Sequence, residues 1–175
     1  MSLAYLSLGG NIGDRLSYLE CAEERLRLNA GNVLKASSYY ITSPWGYACQ
    51  DDFLNKVLQI ETTLDPLALL MCILEIEEQL DRSRTGSKYE ARTIDIDILF
   101  FENLRLNDPQ LVIPHPAIHL RRFTLVPLNE IADNFVHPEL KQPIAELLRL
   151  CPDTLKVERY KKEEIIENFK LTNIA

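Results

Sequence analysis

The chain of 175 residues has little of several things, and each shortage closes a class of function. Its four cysteines stand at 21, 49, 72 and 151, with no C-x-x-C pair and no dense framework, so they read as reduced thiols rather than a disulfide or zinc scaffold. Three histidines offer no metal-ligand spacing, and no nucleophile sits beside an evident base. No apolar run approaches the ~20 residues of a membrane span, and the start, Met1 to Leu8, lacks the basic region of a signal peptide. A soluble intracellular protein is expected. A formal net charge of −7 argues against a main role in binding nucleic acid or an anionic membrane, so any cationic site must be local. Hydrophobic content of 46% and charged content of 26% are ordinary for a globular chain, and the length suits one domain, 1–175.

The most informative stretch is Arg92-Thr93-Ile94-Asp95-Ile96-Asp97-Ile98-Leu99-Phe100-Phe101. Its alternation predicts a strand with Ile94, Ile96 and Ile98 on one face and both carboxylates on the other. Two Cα atoms roughly 6.5–7 Å apart on that face let the carboxylates share a divalent ion, or bridge two. For an isolated D-x-D the solvated face of an edge strand is the commoner reading. The preceding run tips the balance, because Arg82, Arg84, Lys88 and Arg92 lead into the aspartates against the single acid Glu90. Guanidinium groups grip phosphate in a fork, and Mg²⁺ takes one or two carboxylates while phosphate and water complete its shell.

The rest of the chain reads as strand Leu3–Leu8, a helix over 16–28 capped by Asp14, a strand over 33–42, and a strand over 53–62. A second helix starts at Asp65-Pro66 and places Leu67, Leu70, Met71 and Leu74 at helical spacing. The D-x-D strand follows with a hairpin partner near 104–106, then helices over 122–131 and 143–150. This order suggests an α+β sandwich with a largely antiparallel sheet. Glu77 falls within the apolar stripe of the second helix, where a carboxylate needs either an ion-pair partner or an opening onto a polar site. Ser7-Leu8-Gly9-Gly10-Asn11-Ile12-Gly13-Asp14 lies where phosphate loops occur, yet lacks both the P-loop and the G-x-G-x-x-G pattern, and reads best as a tight turn. His115 is mounted between two prolines and is a candidate nucleotide contact, whereas His119 and His137 read as surface or turn residues. Phe53 and Asn55 share a strand face and together suit a flat heterocycle, although by residue type alone Phe53 and Phe123 read first as core.

In this order the pieces resemble the 6-hydroxymethyl-7,8-dihydropterin pyrophosphokinase family of folate biosynthesis, over about residues 3–140. The resemblance rests on S-L-G-G-N-I-G-D, T-S-P-W-G at Thr42–Gly46, F-L-N at Phe53–Asn55, R-S-R at Arg82–Arg84 and R-T-I-D-I-D-I-L from Arg92. V-I-P-H-P from Val112, R-R-F at Arg121–Phe123 and P-L-N-E-I-A from Pro127 complete it. It implies a ferredoxin-like-derived α/β sandwich that transfers pyrophosphate from ATP to the pterin hydroxymethyl group, with two Mg²⁺ ions held by Asp95 and Asp97. It further implies ATP contacts from Arg82, Arg84, Arg92, Ile98, His115 and Arg121, and catalytic roles for Arg82, Arg92 and the two aspartates. Phe53 and Phe123 would sandwich the pterin, Asn55 would bond its edge, and Thr42, Ser43 and Trp45 would complete the pocket. Glu77 remains a possible active-site carboxylate. ATP and the pterin are the expected partners, with no nucleic acid, membrane or obligate protein. The chain departs from the family where Tyr89-Glu90-Ala91-Arg92 replaces an aromatic-Gly-Pro-Arg, which is expected to alter loop closure, and the match fades beyond about residue 140. Two other readings stand beside it: a nucleotidyl- or glycosyltransferase using D-x-D, and a non-catalytic ferredoxin-like RNA-binding module.

Overall fold

The computed structural model describes residues 1–45, 51–82 and 91–161. The chain opens with β1 (Ser2–Gly10), α1 (Arg15–Asn29), β2 (Asn32–Ala36), β3 (Tyr40–Thr42), β4 (Phe53–Thr62) and α2 (Pro66–Gln79). It continues through β5 (Asp95–Phe101), β6 (Leu106–Asn107), β7 (Val112–Ile113) and a 3₁₀ turn (Ile118–Leu120) to α3 (Arg122–Ala132), α4 (Ile144–Leu150) and β8 (Val157–Arg159). Six strands form one sheet in the order β5-β1-β4-β3-β8, with β2 also on β4, and every pairing is antiparallel.

Both helix starts follow from local chemistry. The Asp14 carboxylate accepts from the Ser17 N–H at 3.1 Å, and Asp65 accepts from the Ala68 N–H at 2.9 Å with Pro66 in the first turn. α1 and α2 cover one face of the sheet, burying Leu19, Leu26, Leu69 and Ile73 against Leu6, Leu8, Ile96 and Ile98. α3 and α4 cover part of the other, where Leu125, Leu128, Ile144 and Leu147 meet Tyr5, Val57, Leu99 and Phe100. A register shift in the β1–β5 pairing lets Leu99 and Phe100 both join this second core, so Phe101 returns to the first. The α3/α4 layer leaves one end of its sheet face uncovered, and that end carries the site.

Three expectations are corrected and one strand was unforeseen. The strand over 33–42 is two strands, because Ser37 interrupts it: its N–H donates to the Val57 carbonyl and its hydroxyl accepts the Val57 N–H at 2.9 Å. α2 turns Leu69, Ile73 and Ile76 inward and leaves Leu67 and Met71 exposed. Residues 66–74 are apolar nearly all round, so spacing alone does not select the buried stripe. Residues 104–106 do not form a hairpin with β5. Phe101–Leu104 closes a turn, and β6 instead pairs with β7. Finally, β8 was not expected; it lies beside β3, with Tyr40 opposite Arg159.

Candidate active site

β1, β4 and β5 bring Ser7 and Gly9, Phe53 and Asn55, and Asp95 and Asp97 to one sheet face. The register sets Gly9 between Asn55 and Asp95, and Ser7 opposite Asp97. The opposite faces of the same strands are filled by Leu8, Leu54, Ile96 and Ile98, all buried. The two-residue period of β5 thus places both carboxylates as expected. They face a cleft of about 500 Å³, which also draws Thr42, Ser43 and Trp45 from the end of β3, Arg82 and Arg92 from the segments flanking 83–90, and His115, Arg121 and Phe123 from the far side. Gly9 has no room for a larger side chain, since a Cβ there would lie 2.3 Å from Asn55 Oδ1. Asn55, only 4% exposed, thus lays its Oδ1 over Gly9 of β1 and donates from Nδ2 to Thr42 Oγ1, at the end of β3 on its other side, at 2.6 Å.

The cations are held by carboxylates. Arg82 bonds Glu77 through Nη1 and reaches Asp95 Oδ1 at 2.6 Å through Nη2, while Arg92 bonds Asp95 Oδ2. Glu77, 2% exposed, lies behind the cleft wall rather than in it, and also accepts the Ile96 N–H at 2.7 Å. Of its two readings, the ion-pair partner is what the geometry displays, and its Arg82 lines the cleft.

Asp97 differs from Asp95, since its carboxylate makes no hydrogen bond or ion pair among the described residues. Burial first, then the negative charges of Asp95 and, more weakly, Glu77, push its carboxyl from the ordinary 3.8 up to about 7, against the pull of Arg121 and Arg82. A carboxylate this short of positive charge suits a divalent cation. The described residues hold no group of three or more His, Cys, Asp or Glu placed to bind a metal. Two carboxylates, with ligand oxygens and water completing the shell, therefore fit Mg²⁺ better than a structural metal.

His115 is pulled from 6.5 down to about 4 by burial and by Arg121, and stays neutral at pH 7. Its Nδ1 accepts from the Ala117 N–H at 3.3 Å, which assigns the ring proton to Nε2, and its own N–H donates to the Leu99 carbonyl at 3.0 Å. Nε2 lies 3.4 Å from Arg121 Nη1. The Arg121 guanidinium sits 5.2 Å from the Trp45 ring and 5.8 Å from that of Phe123, and its buried Nε has no hydrogen-bond partner among the described residues.

Every expected site residue within the described segments lies in this cleft except Glu77 and Ile98; Arg84 and Gly46, like Lys88, Tyr89 and Glu90, lie outside those segments. Ile98 lines an adjoining cavity, also about 500 Å³, with Leu70, Met71, Leu74, Leu111 and Val112. The two cavities share Arg82, Asp95, Asp97 and His115. His137 is not a surface residue: it is 3% exposed and its Nδ1 accepts from the Glu139 and Leu140 N–H groups.

Asn11 escaped the sequence reading. Its side chain accepts the Arg92 N–H at 2.8 Å, and the Asn11 N–H returns a 2.9 Å bond to the Arg92 carbonyl. The glycine-rich turn after β1 therefore anchors the arginine that precedes the aspartates. The Gly-Gly-Asn at a strand end was the available signal.

A polar cleft that sets cations and paired carboxylates beside aromatic rings and an amide, on an antiparallel α/β sandwich, defines a protein that handles a phosphorylated ligand next to a flat one. A family model for 7,8-dihydro-6-hydroxymethylpterin-pyrophosphokinase (HPPK) matches residues 5–133. The 2-amino-4-hydroxy-6-hydroxymethyldihydropteridine pyrophosphokinase of Porphyromonas gingivalis is 39% identical over 146 residues, covering 82% of this chain and 99% of that protein. Its counterpart in Bacillus subtilis is 44% identical over 131 residues, covering 74% and 78%. The chain belongs to the HPPK family. A crystal structure of wild-type Plasmodium falciparum HPPK-DHPS with pteroate shares the fold at a TM-score of 0.70 and 19% identity, over 85% of this chain and 44% of that longer one.

Proposed function

We propose that the chain transfers the pyrophosphoryl group of ATP to the hydroxymethyl oxygen of 6-hydroxymethyl-7,8-dihydropterin, giving AMP and the pterin diphosphate, in folate biosynthesis. The observation that carries this reading is the continuity of the two cavities through Arg82, Asp95, Asp97 and His115. The cavity bearing Leu70, Ile98 and Leu111 suits the adenosine part of ATP, and the shared wall suits its phosphates. The other cavity suits the pterin, with Asn55 and Thr42 at its polar edge and Phe53, Phe123 and Trp45 against its faces.

The substrate oxygen attacks the β-phosphorus, the bond from that phosphorus to the α–β bridging oxygen breaks, AMP departs, and the hydroxyl proton passes to solvent. Such a transfer needs positioning and charge neutralisation rather than a covalent intermediate. Asp95 and Asp97 would hold two Mg²⁺ ions, which when bound neutralise the triphosphate and polarise its oxygens. Arg82 and Arg92, now resting on Asp95, are within reach of that wall and grip phosphate as the carboxylate engages metal. Neutral His115 offers its Nε2–H to a phosphate oxygen, and the guanidinium of Arg121, which lines the cleft, offers a second donor. Arg84 joins this set on the strength of the motif alone. We further propose that residues 1–175 form one domain acting in the cytoplasm without an obligate partner. No helix among the described residues is long and apolar enough to cross a membrane.

Nucleotide analysis after incubation with ATP, Mg²⁺ and the reduced pterin tests the reading. AMP should form only when all three are present; ADP as the sole product, or pyrophosphate release, would contradict it.

A further inference from the structure

Asp153 lies in the segment between α4 and β8, beyond the residues matched by the family model. α3 carries two cleft residues at its start, Arg121 at the N-cap and Phe123 in the first turn, yet no side chain of its own caps it. The missing cap comes from 31 residues further along the chain. The half-buried Asp153 accepts the Arg122 N–H through Oδ2 at 3.0 Å, and through Oδ1 the Leu155 N–H at 2.9 Å. The first bond satisfies an otherwise open donor between the two cleft residues, and the carboxylate opposes the positive end of the helix dipole. The second fixes Asp153 in its own turn, so the acceptor is held rather than searching.

The same segment also holds the facing wall. The Lys156 carbonyl accepts the Ser43 N–H at 3.2 Å, and Val157 pairs with Thr42. One short strap therefore ties the Arg121/Phe123 wall to the Thr42/Ser43 wall, and across the gap the Arg121 guanidinium lies 5.2 Å from the Trp45 ring.

We propose that Asp153 is a positioning residue for the transfer: by capping α3 from outside the helix it sets where Phe123 and Arg121 enter the cleft. The inference rests on the pyrophosphokinase reading. The pterin side depends on it most, because Phe123 follows the capped N–H directly. The phosphate grip depends on it less, because Arg121 shares that work with Arg82, Arg92 and His115, which are anchored elsewhere.

Steady-state kinetics of the full chain with each substrate varied in turn, together with thermal melting, test this. Loss of the cap frees the first turn, and small misplacements cost rate, so Asp153→Ala should raise the pterin KM about 10-fold and the ATP KM less than about 3-fold. Asp153→Asn keeps one acceptor oxygen for the Arg122 N–H but loses the one that takes the Leu155 N–H, so its pterin KM should fall between those of wild type and Asp153→Ala. Asp153→Glu keeps the charge but displaces the acceptor by one bond, and should show the same KM change to a smaller degree even where the alanine variant does not fold. A residue that only stabilised the fold would lower kcat and melting temperature and leave both KM values alone. That pattern in Asp153→Ala, an unchanged pterin KM in Asp153→Glu, or an asparagine variant as impaired as the alanine, would overturn the proposal. A wild-type chain that forms no AMP would instead overturn the underlying reading.

Discussion

Asp97→Asn should make the metal-free protein more stable and inactive at once. The folded state holds the Asp97 carboxyl at about 7 rather than 3.8, so the unfolded chain releases that proton first as pH rises. A raised carboxyl pKa stabilises nothing above its ordinary value: the folded state loses ground from about pH 4 until pH passes 7. At ~1.36 kcal/mol per pH unit the full cost is about 4 kcal/mol, of which roughly 2–3 accrues between pH 5 and pH 8. Water in the cleft screens part of this, so about half should be seen. Asparagine keeps the shape without the charge and escapes the penalty. Its melting temperature should exceed that of wild type by several degrees at pH 8, at roughly 2–4 °C per kcal/mol, and the gap should shrink steadily towards pH 4. Scanning calorimetry of both proteins in chelator across pH 4–8 measures it. A gap that is absent or negative at pH 8, or constant with pH, would refute the electrostatic reasoning. Added Mg²⁺ with a non-hydrolysable ATP analogue should stabilise wild type more at pH 8 than at pH 6, and the variant little at either.

Glu77→Ala removes the buried partner of half-buried Arg82 and the acceptor of the Ile96 N–H, so denaturant unfolding should show a loss of about 3 kcal/mol; Glu77→Gln should recover part of it. Kinetics of the same pair should show a raised ATP KM in both, and an unchanged value would detach Glu77 from the site. Gly9→Ala forces Asn55 aside, so the pterin KM should rise by about 10-fold with the ATP KM nearly constant. His115 acts on stability in the opposite sense to Asp97. Its folded pKa lies below the unfolded 6.5, so the folded state loses stability as pH falls from 6.5 towards about 4. His115→Gln should flatten that part of the melting-temperature profile, and an unaltered profile would count against a buried, neutral imidazole.

The cleft was legible wherever one period served two purposes. In β5 the alternation that buries Ile94, Ile96 and Ile98 also aims Asp95 and Asp97, so a strand prediction was already a site prediction. Asp14 and Asp65 marked their helices because a cap is a local, self-contained device. Legibility failed where the deciding contact lay far along the chain. Ser37 ends β2 by replacing a ladder bond to Val57, which no local propensity reveals. The turn of α2 was set by the sheet beneath it and not by its own nearly uniform apolar surface. β8 has three residues and owes its place to β3. Asn11 and Asp153 look like ordinary turn residues until the N–H groups they accept, 81 and 31 positions away, are in view.

Where a divalent cation settles is the most direct test of the site. Crystals of the chain grown with Mn²⁺, a non-hydrolysable ATP analogue and the pterin should show anomalous density bridging Asp95 and Asp97 to the phosphate oxygens, with Arg82 and Arg92 turned from Asp95 onto the phosphates. Manganese bound elsewhere, or a triphosphate seated away from both carboxylates, would contradict it.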